Sequence, residues 1–197
     1  MKMSLVYKIA SESWEFELIH RLNHKTFAEE IPQHNPHPDG RLVDKFHEEN
    51  LYHIALDGNT LAGMIAYRDK RPFSLDQKIP DLDRFLPQGQ RPCEFRLLAV
   101  EKDYRNGPVF HRLFFCAARE GLSRGKTLGV ISGTTRQLRL YERLGFTTFG
   151  PLVGTPDAPY QPMYMSLETI ANHTARFLPP DEREAFRKLT RHAASQE

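Results

Sequence analysis

The stretch from Cys93 to Phe149 switches repeatedly between two hydrophobic periods, and few folds accept that alternation. Cys93 to Val100 reads as a strand and Lys102 to Gly107 as a polar turn. Pro108 then suits a first helical position, with Val109, Leu113, Phe114 and Ala117 on one face behind it. Thr127 to Ile131 is a β-branched strand, Arg136 to Leu144 an amphipathic helix closed by Gly145, and Phe146 to Phe149 the start of another strand. A strand that returns through a helix must lie parallel to its predecessor, so the order demands an α/β core with at least one parallel pair.

The flanking segments add antiparallel partners. Leu5 to Ala10 alternates like a strand, and Trp14, Leu18, Leu22 and Phe27 recur near helical spacing. Three prolines between Ile31 and Gly40 end that helix, and Leu42 to Glu49 reads as a short second one. Leu51 to Leu56 and Leu61 to Tyr67 join through Asp57-Gly58-Asn59 as an antiparallel hairpin. Arg68 to Pro92, rich in Pro, Asp, Lys and Gln, is a long excursion of the kind that serves a site. Tyr160 to Leu167 reads as a last strand and Asp181 to His192 as an exposed helix. The organisation expected is one domain over residues 1–178 and a helical tail over 179–197.

Composition removes several function classes. The longest apolar stretches fall well short of the roughly 20 residues of a membrane span, and Met1 to Leu18 lacks a signal-peptide apolar block, which points to a soluble, cytoplasmic protein without a membrane partner. Net charge is +2 with the signs interspersed, so no basic stripe exists for a nucleic acid. Cys93 and Cys116 are too few for a disulfide framework.

Three near-motifs fail, two on spacing and one on residue type. Gly121 to Thr127 resembles a phosphate loop but has three residues between its glycines where four are needed, and it leaves a helix to enter a strand. Gly129 to Gly133 puts its serine one position away from a nucleophile elbow. His20 and His24 stand four apart on a helix, yet Arg-Leu-Asn between them lacks the glutamate of a zinc-protease motif, and no metal site is expected.

What survives is the junction of strand, polar turn and helix. Arg105, Asn106 and Gly107 lie where free N–H groups and the positive end of the helix converge, which is an anion site suited to a diphosphate. Downstream stands Leu140-Tyr-Glu-Arg-Leu-Gly-Phe146. Together the two elements resemble the GNAT superfamily of N-acyltransferases, over roughly Leu5 to Leu167. Pro108 and Phe110 occupy positions that are usually small in the family's diphosphate loop, and Thr134 and Gln137 replace its common asparagine and alanine. Glu94 to Val100 and Phe27-Ala-Glu-Glu30 are similar to the branch holding acyl-homoserine-lactone synthases and N-acyl amino acid synthases, with the strand arginine, Arg96, one position earlier than in that branch.

The resemblance implies a GNAT-like mixed central sheet with flanking helices and a splayed parallel strand pair. It implies direct acyl transfer from acetyl-CoA or a longer acyl-CoA, or from acyl carrier protein, to the amine of a small molecule or amino acid. In the roles it implies, Glu94 is the general base, Tyr141 the general acid for the leaving thiolate, and Leu98, Ala99 and Val100 the backbone partners of the pantetheine arm and oxyanion. Arg105, Asn106, Gly107, Pro108, Val109 and Phe110 hold the diphosphate, while Phe27, Glu30, Arg71 and Gln161 are acceptor residues. A homodimer is compatible with it. The altered Pro108 and Phe110 motivate a competing expectation, a non-catalytic acyl-CoA-binding module that regulates a partner. A third is an interaction domain with neither ligand.

Overall fold

The computed structural model describes residues 5–184. In chain order its elements are β1 (Val6–Ile9), α1 (Ser13–His24), β2 (Leu51–Asp57), β3 (Thr60–Arg68), β4 (Pro92–Val100), α2 (Val109–Ser123), β5 (Leu128–Thr134), α3 (Leu138–Leu144), β6 (Thr147–Thr148), β7 (Val153–Thr155), β8 (Ala158–Ser166) and α4 (Leu167–Ala175). The strands form one sheet of order β1-β2-β3-β4-β5-β8-β6, with β7 also on β8. Among the described residues only β4 and β5 pair in parallel, as their α2 crossover requires. This is the mixed α/β architecture with a parallel pair that the alternation from Cys93 demands.

Two sheet faces carry separate cores. Ile65, Phe95, Val109, Leu113, Phe114, Ile131 and Met163 pack with α2 and α4 on one face. Ile19, Leu22, Ile54, Leu61 and Met64 pack with α1 on the other. A third cluster, Phe73, Leu75, Ile79, Leu82 and Phe149, pins the excursion between β3 and β4 against Leu128 and Val130.

Most of the expected elements form, and the departures have local causes. The α1 helix continues into a π-helical turn, Lys25–Glu30, and ends with the Ile31 N–H on the Thr26 carbonyl. The expected helix from Leu42 to Glu49 is only a 3-10 turn, His47–Glu49. Its first amide is taken by the His20 carbonyl, and the Asp44 carboxylate accepts the Phe46 N–H at 3.0 Å and the Asn50 amide at 2.9 Å, offering the backbone an alternative to helix. Helix α4 was not expected, because it follows β8 without a loop; its signal is Ser166, which caps the Thr169 N–H at 3.1 Å. The expected terminal helix is described only over 180–184, and the rest of the tail lies outside the described residues. Among the described residues no helix is long and apolar enough to cross a membrane.

One irregularity positions the site. β4 pairs with β5 only through Pro92, Cys93 and Glu94, although both strands run on, and β5 keeps its ladder with β8 as far as Thr134. On its other side β4 shifts register where Ile65 faces Leu97 and Leu98, and Leu97 takes a left-handed φ of 54°. An extra residue bends a strand and sharpens its twist. The second half of β4 therefore swings away from β5, and the sheet opens between them.

Candidate active site

The opening is the mouth of a cleft of about 780 Å³. Along one stretch it is lined by Leu97 to Val100 of β4, by Ile131, Ser132 and Thr134 of β5, and by Arg105, Gly107, Phe110, His111 and Phe114 around the start of α2. Tyr141 on α3 lines it too. Toward the other end the walls are Phe27, Glu30 and His34, then Asp44, Lys45, Ser74, Lys78, Arg96 and Tyr160. Apolar and charged ends thus share one continuous space.

At the α2 end the expected strand–turn–helix junction forms. α2 begins after Pro108 without any side-chain cap, so the first-turn N–H groups are not satisfied by a capping residue. The Gly107 amide is engaged by the Tyr104 carbonyl at 3.1 Å. Val109 turns its side chain wholly into the core, against Gly63, while Asn106 and Pro108 sit exposed in the turn. Phe110 packs on Phe114, with ring centroids 5.1 Å apart, and forms a wall of the cleft rather than a plug. Arg105 is held by two partners: its Nε donates to the Val100 carbonyl at 2.8 Å and its Nη2 to Glu30 at 2.6 Å.

Tyr141 lies over Gly133, where a Cβ would come within 3.0 Å of its ring. Burial pushes its phenol up to about 12. Next to Gly133 on β5, the Ser132 hydroxyl is buried without a partner among the described residues. Leu98 and Ala99 supply backbone to the same stretch, beyond the left-handed Leu97.

Glu94 is 1% exposed and does not itself line the cleft. Its Oε1 accepts the Ser74 hydroxyl at 2.6 Å and the Leu75 N–H at 3.2 Å, and its Oε2 the Ser74 N–H at 2.9 Å. Ser74, by contrast, is a lining residue. The excursion between β3 and β4 is therefore stitched to the strand through this carboxylate. Beside it Arg96 makes a bidentate pair with Asp44, at 2.7 and 2.8 Å. Burial works to raise the Asp44 carboxyl, but the Arg96 hydrogen bonds and charge outweigh it and hold it below the usual carboxylate range. Burial lowers the His34 imidazole, with Lys78, Arg96 and Lys45 adding to the effect against Asp44.

The structure gathers Phe27, Glu30, Leu98, Ala99, Val100, Arg105, Gly107, Phe110 and Tyr141 on one cleft. It does not bring Arg71 or Gln161 there. Arg71 is committed to Asp76 and Asp83 within the excursion. Gln161 donates to the Phe149 carbonyl at 2.8 Å, and its neighbour Tyr160 faces the cleft instead, because successive strand residues point to opposite sides. Lining residues to which the sequence reading gave no site role include Asp44, Ser74, Lys78, Arg96, Ser132 and Tyr160. For Lys78 and Ser74 the position of the excursion was a signal; for Tyr160 strand parity was the ambiguity. Among the described residues no group of three or more His, Cys, Asp or Glu could hold a metal ion.

The chain matches the family model described as N-acyl amino acid synthase FeeM over residues 18–167. No curated protein matches it. Among solved structures it is similar to BjaI, a CoA-dependent acyl-homoserine lactone synthase in complex with MTA, at 22% identity over 90% of this chain and 91% of that one, with a TM-score of 0.73. FeeM itself, an N-acyl amino acid synthase from uncultured soil microbes, is 19% identical over 89% and 99% of the two chains, with a TM-score of 0.67. The acyl-homoserine lactone synthase LasI gives 17% identity, 84% and 91% coverage and a TM-score of 0.67. At these identities the structural likenesses establish the fold. The family match runs from within α1 to the end of β8 and so spans the cleft, and on that ground the chain belongs to the N-acyl amino acid synthase FeeM family and is a GNAT-like acyltransferase.

Proposed function

We propose that the chain transfers an acyl group from the thioester of acyl-CoA, with acyl carrier protein as the other donor, to the amine of an amino acid or similar small molecule. The observation that carries this reading is the single cleft running from the uncapped start of α2, through the opening between β4 and β5, to the charged wall of Asp44, Lys78 and Arg96. BjaI, described as CoA-dependent and also solved with SAM and isopentyl-CoA, is a structural precedent for a thioester donor in such a fold.

In the proposed reaction the donor diphosphate sits at Arg105 through Phe110, on the first-turn amides of α2, and the pantetheine arm lies along Leu98, Ala99 and Val100. The neutral amine attacks the thioester carbonyl. A C–N bond forms, and the oxyanion is met by a backbone N–H of the β4 bulge, where Leu97 and Leu98 lie outside the paired register. The proton lost by the amine passes to the Ser74 hydroxyl, which gives its own to Glu94, 2.6 Å away. Glu94 thus acts as base through Ser74. Collapse breaks the C–S bond, and the thiolate takes the Tyr141 proton; the products are an amide and a free thiol. Phe27 and Glu30 face the acceptor, whereas Arg71 and Gln161 hold the walls.

The test is thiol release by the full chain, mixed with acetyl-, octanoyl- and dodecanoyl-CoA and a panel of amino acids and amines, with the amide identified by mass spectrometry. Turnover that collapses in Tyr141→Phe is the expected result. Tight CoA binding without thiol release for any amine would overturn the reading.

A further inference from the structure

Lys78 stands in the excursion between β3 and β4, and its ammonium lies 5.1 Å from the centroid of the Tyr160 ring. Both residues line the charged end of the cleft. Arg136 lines the cleft too, beyond Thr134, but the two cations flanking Lys78 are engaged. Arg96 gives two hydrogen bonds to Asp44, with Glu94 3.7 Å from its Nε. Lys45 donates to the Gln77 amide oxygen. The Lys78 ammonium makes no hydrogen bond and no ion pair among the described residues, so its three donors are open to the cleft.

Its surroundings favour an anionic guest. The residue as a whole is exposed, but partial burial of its ammonium lowers the pKa against the pull of Glu94, and Arg96 and Lys45 add to the lowering. A bound anion relieves that cost. The Tyr160 face holds the ammonium by its quadrupole without using its donors. A carboxylate, with one charge, matches one ammonium. A phosphate monoester brings nearly two charges and three acceptor oxygens, more than Lys78 alone answers.

We infer that Lys78 binds the carboxylate of the acceptor and makes the cleft choose an amino acid over the same amine with its carboxylate removed or esterified. The inference rests on the transferase reading above. Lys78 is a specificity residue in it, and the reacting amine is met elsewhere, by Ser74.

The full chain is assayed with octanoyl-CoA and matched acceptors: phenylalanine, its methyl ester and phenethylamine; glycine and phosphoethanolamine. The wild type is expected to favour the free acids by about tenfold or more in kcat/KM, the effect of one charge-assisted hydrogen bond. In Lys78→Met that preference falls to near one through a rise in KM for the acids, and Lys78→Arg restores it in part. Lys78→Gln guards against a folding artefact of the methionine variant. Equilibrium binding of N-octanoyl-phenylalanine and its methyl ester, by calorimetry, reads the same discrimination without turnover. Absence of turnover with intact acid-over-ester binding would therefore sink the transferase reading and keep the carboxylate site. An unchanged preference in Lys78→Met, equal use of acid and ester by the wild type, or a preference for phosphoethanolamine over glycine would overturn the inference itself.

Discussion

Arg105 and Glu30 form an ion pair of 2.6 Å from opposite walls of the cleft, one in the turn before α2 and the other at the end of the π-helical turn. Both side chains are more than a third exposed, 42% and 34%, so the pair contributes only about 0–1 kcal/mol to stability. In the proposed reaction its weight falls on binding, because the guanidinium that meets Glu30 is the one assigned to the donor diphosphate. Arg105→Ala is expected to raise KM for acyl-CoA about tenfold, and Glu30→Gln to lower it severalfold by freeing the guanidinium, with little change in melting temperature in the latter. Unchanged KM in both variants would remove the pair from donor binding.

Tyr141 supplies a prediction about pH as well as rate. Its phenol is pushed up to about 12 by burial, so the proton that the thiolate needs is retained up to that value rather than lost near 10. Under conditions where chemistry limits turnover, kcat should show no fall near pH 10. Tyr141→Phe keeps the ring against Phe146 and removes the hydroxyl that carries the proton, and a loss of about 10²–10⁴-fold in kcat is expected. A variant with wild-type kcat would exclude the acid role.

Ser74 and Glu94 can be separated by comparing stability with rate. Glu94→Gln leaves the Ser74 and Leu75 donors facing a weaker acceptor and an added NH2 group, and should cost about 1–3 kcal/mol in chemical denaturation as well as activity. Ser74→Ala removes one hydroxyl and keeps both backbone bonds. If the proton passes through Ser74, the alanine variant loses rate about as severely as the glutamine variant while losing much less stability. Full activity in Ser74→Ala would break the proposed relay.

His53 sets an acid limit on stability. It is 6% exposed on β2, and burial lowers its pKa to about 4, with Arg119 and Arg124 reinforcing the effect against Glu120. A histidine depressed in the folded state binds its proton more readily when unfolded. Its contribution is therefore fully present above pH 6.5, the ordinary value, and is lost as pH falls from 6.5 toward 4. The interval corresponds to roughly 3 kcal/mol as an order of magnitude. Denaturant titrations at pH 7 and pH 4.5 should show a smaller pH-dependent drop in His53→Leu than in the wild type; equal drops would assign the acid sensitivity to other groups.

The parts of the molecule legible in the sequence are those governed by neighbours along the chain. Periodicity and glycine placement marked β2, β3, β4, α2, β5 and α3, and the strand–turn–helix junction after Val100 marked the uncapped α2 terminus. The motif ending in Phe146 brought Tyr141 to the cleft by family likeness. Where a side chain and its backbone shared one local signal, the reading and the structure agree.

What only the tertiary structure decided is which partners meet across distance. Glu94 is bonded to Ser74, Arg96 to Asp44 and Arg105 to Glu30, at separations of 20, 52 and 75 residues, and no local pattern encodes those pairings. Tyr160 rather than Gln161 faces the cleft because the packing of β8 fixed the parity of a strand whose own sequence left it open. The opening itself arises from a bulge at Leu97 and Leu98 opposite Ile65, a property of two strands together. Short-range preferences set the elements; the site's charge pairing and shape follow from long-range packing, which sequence proximity does not carry.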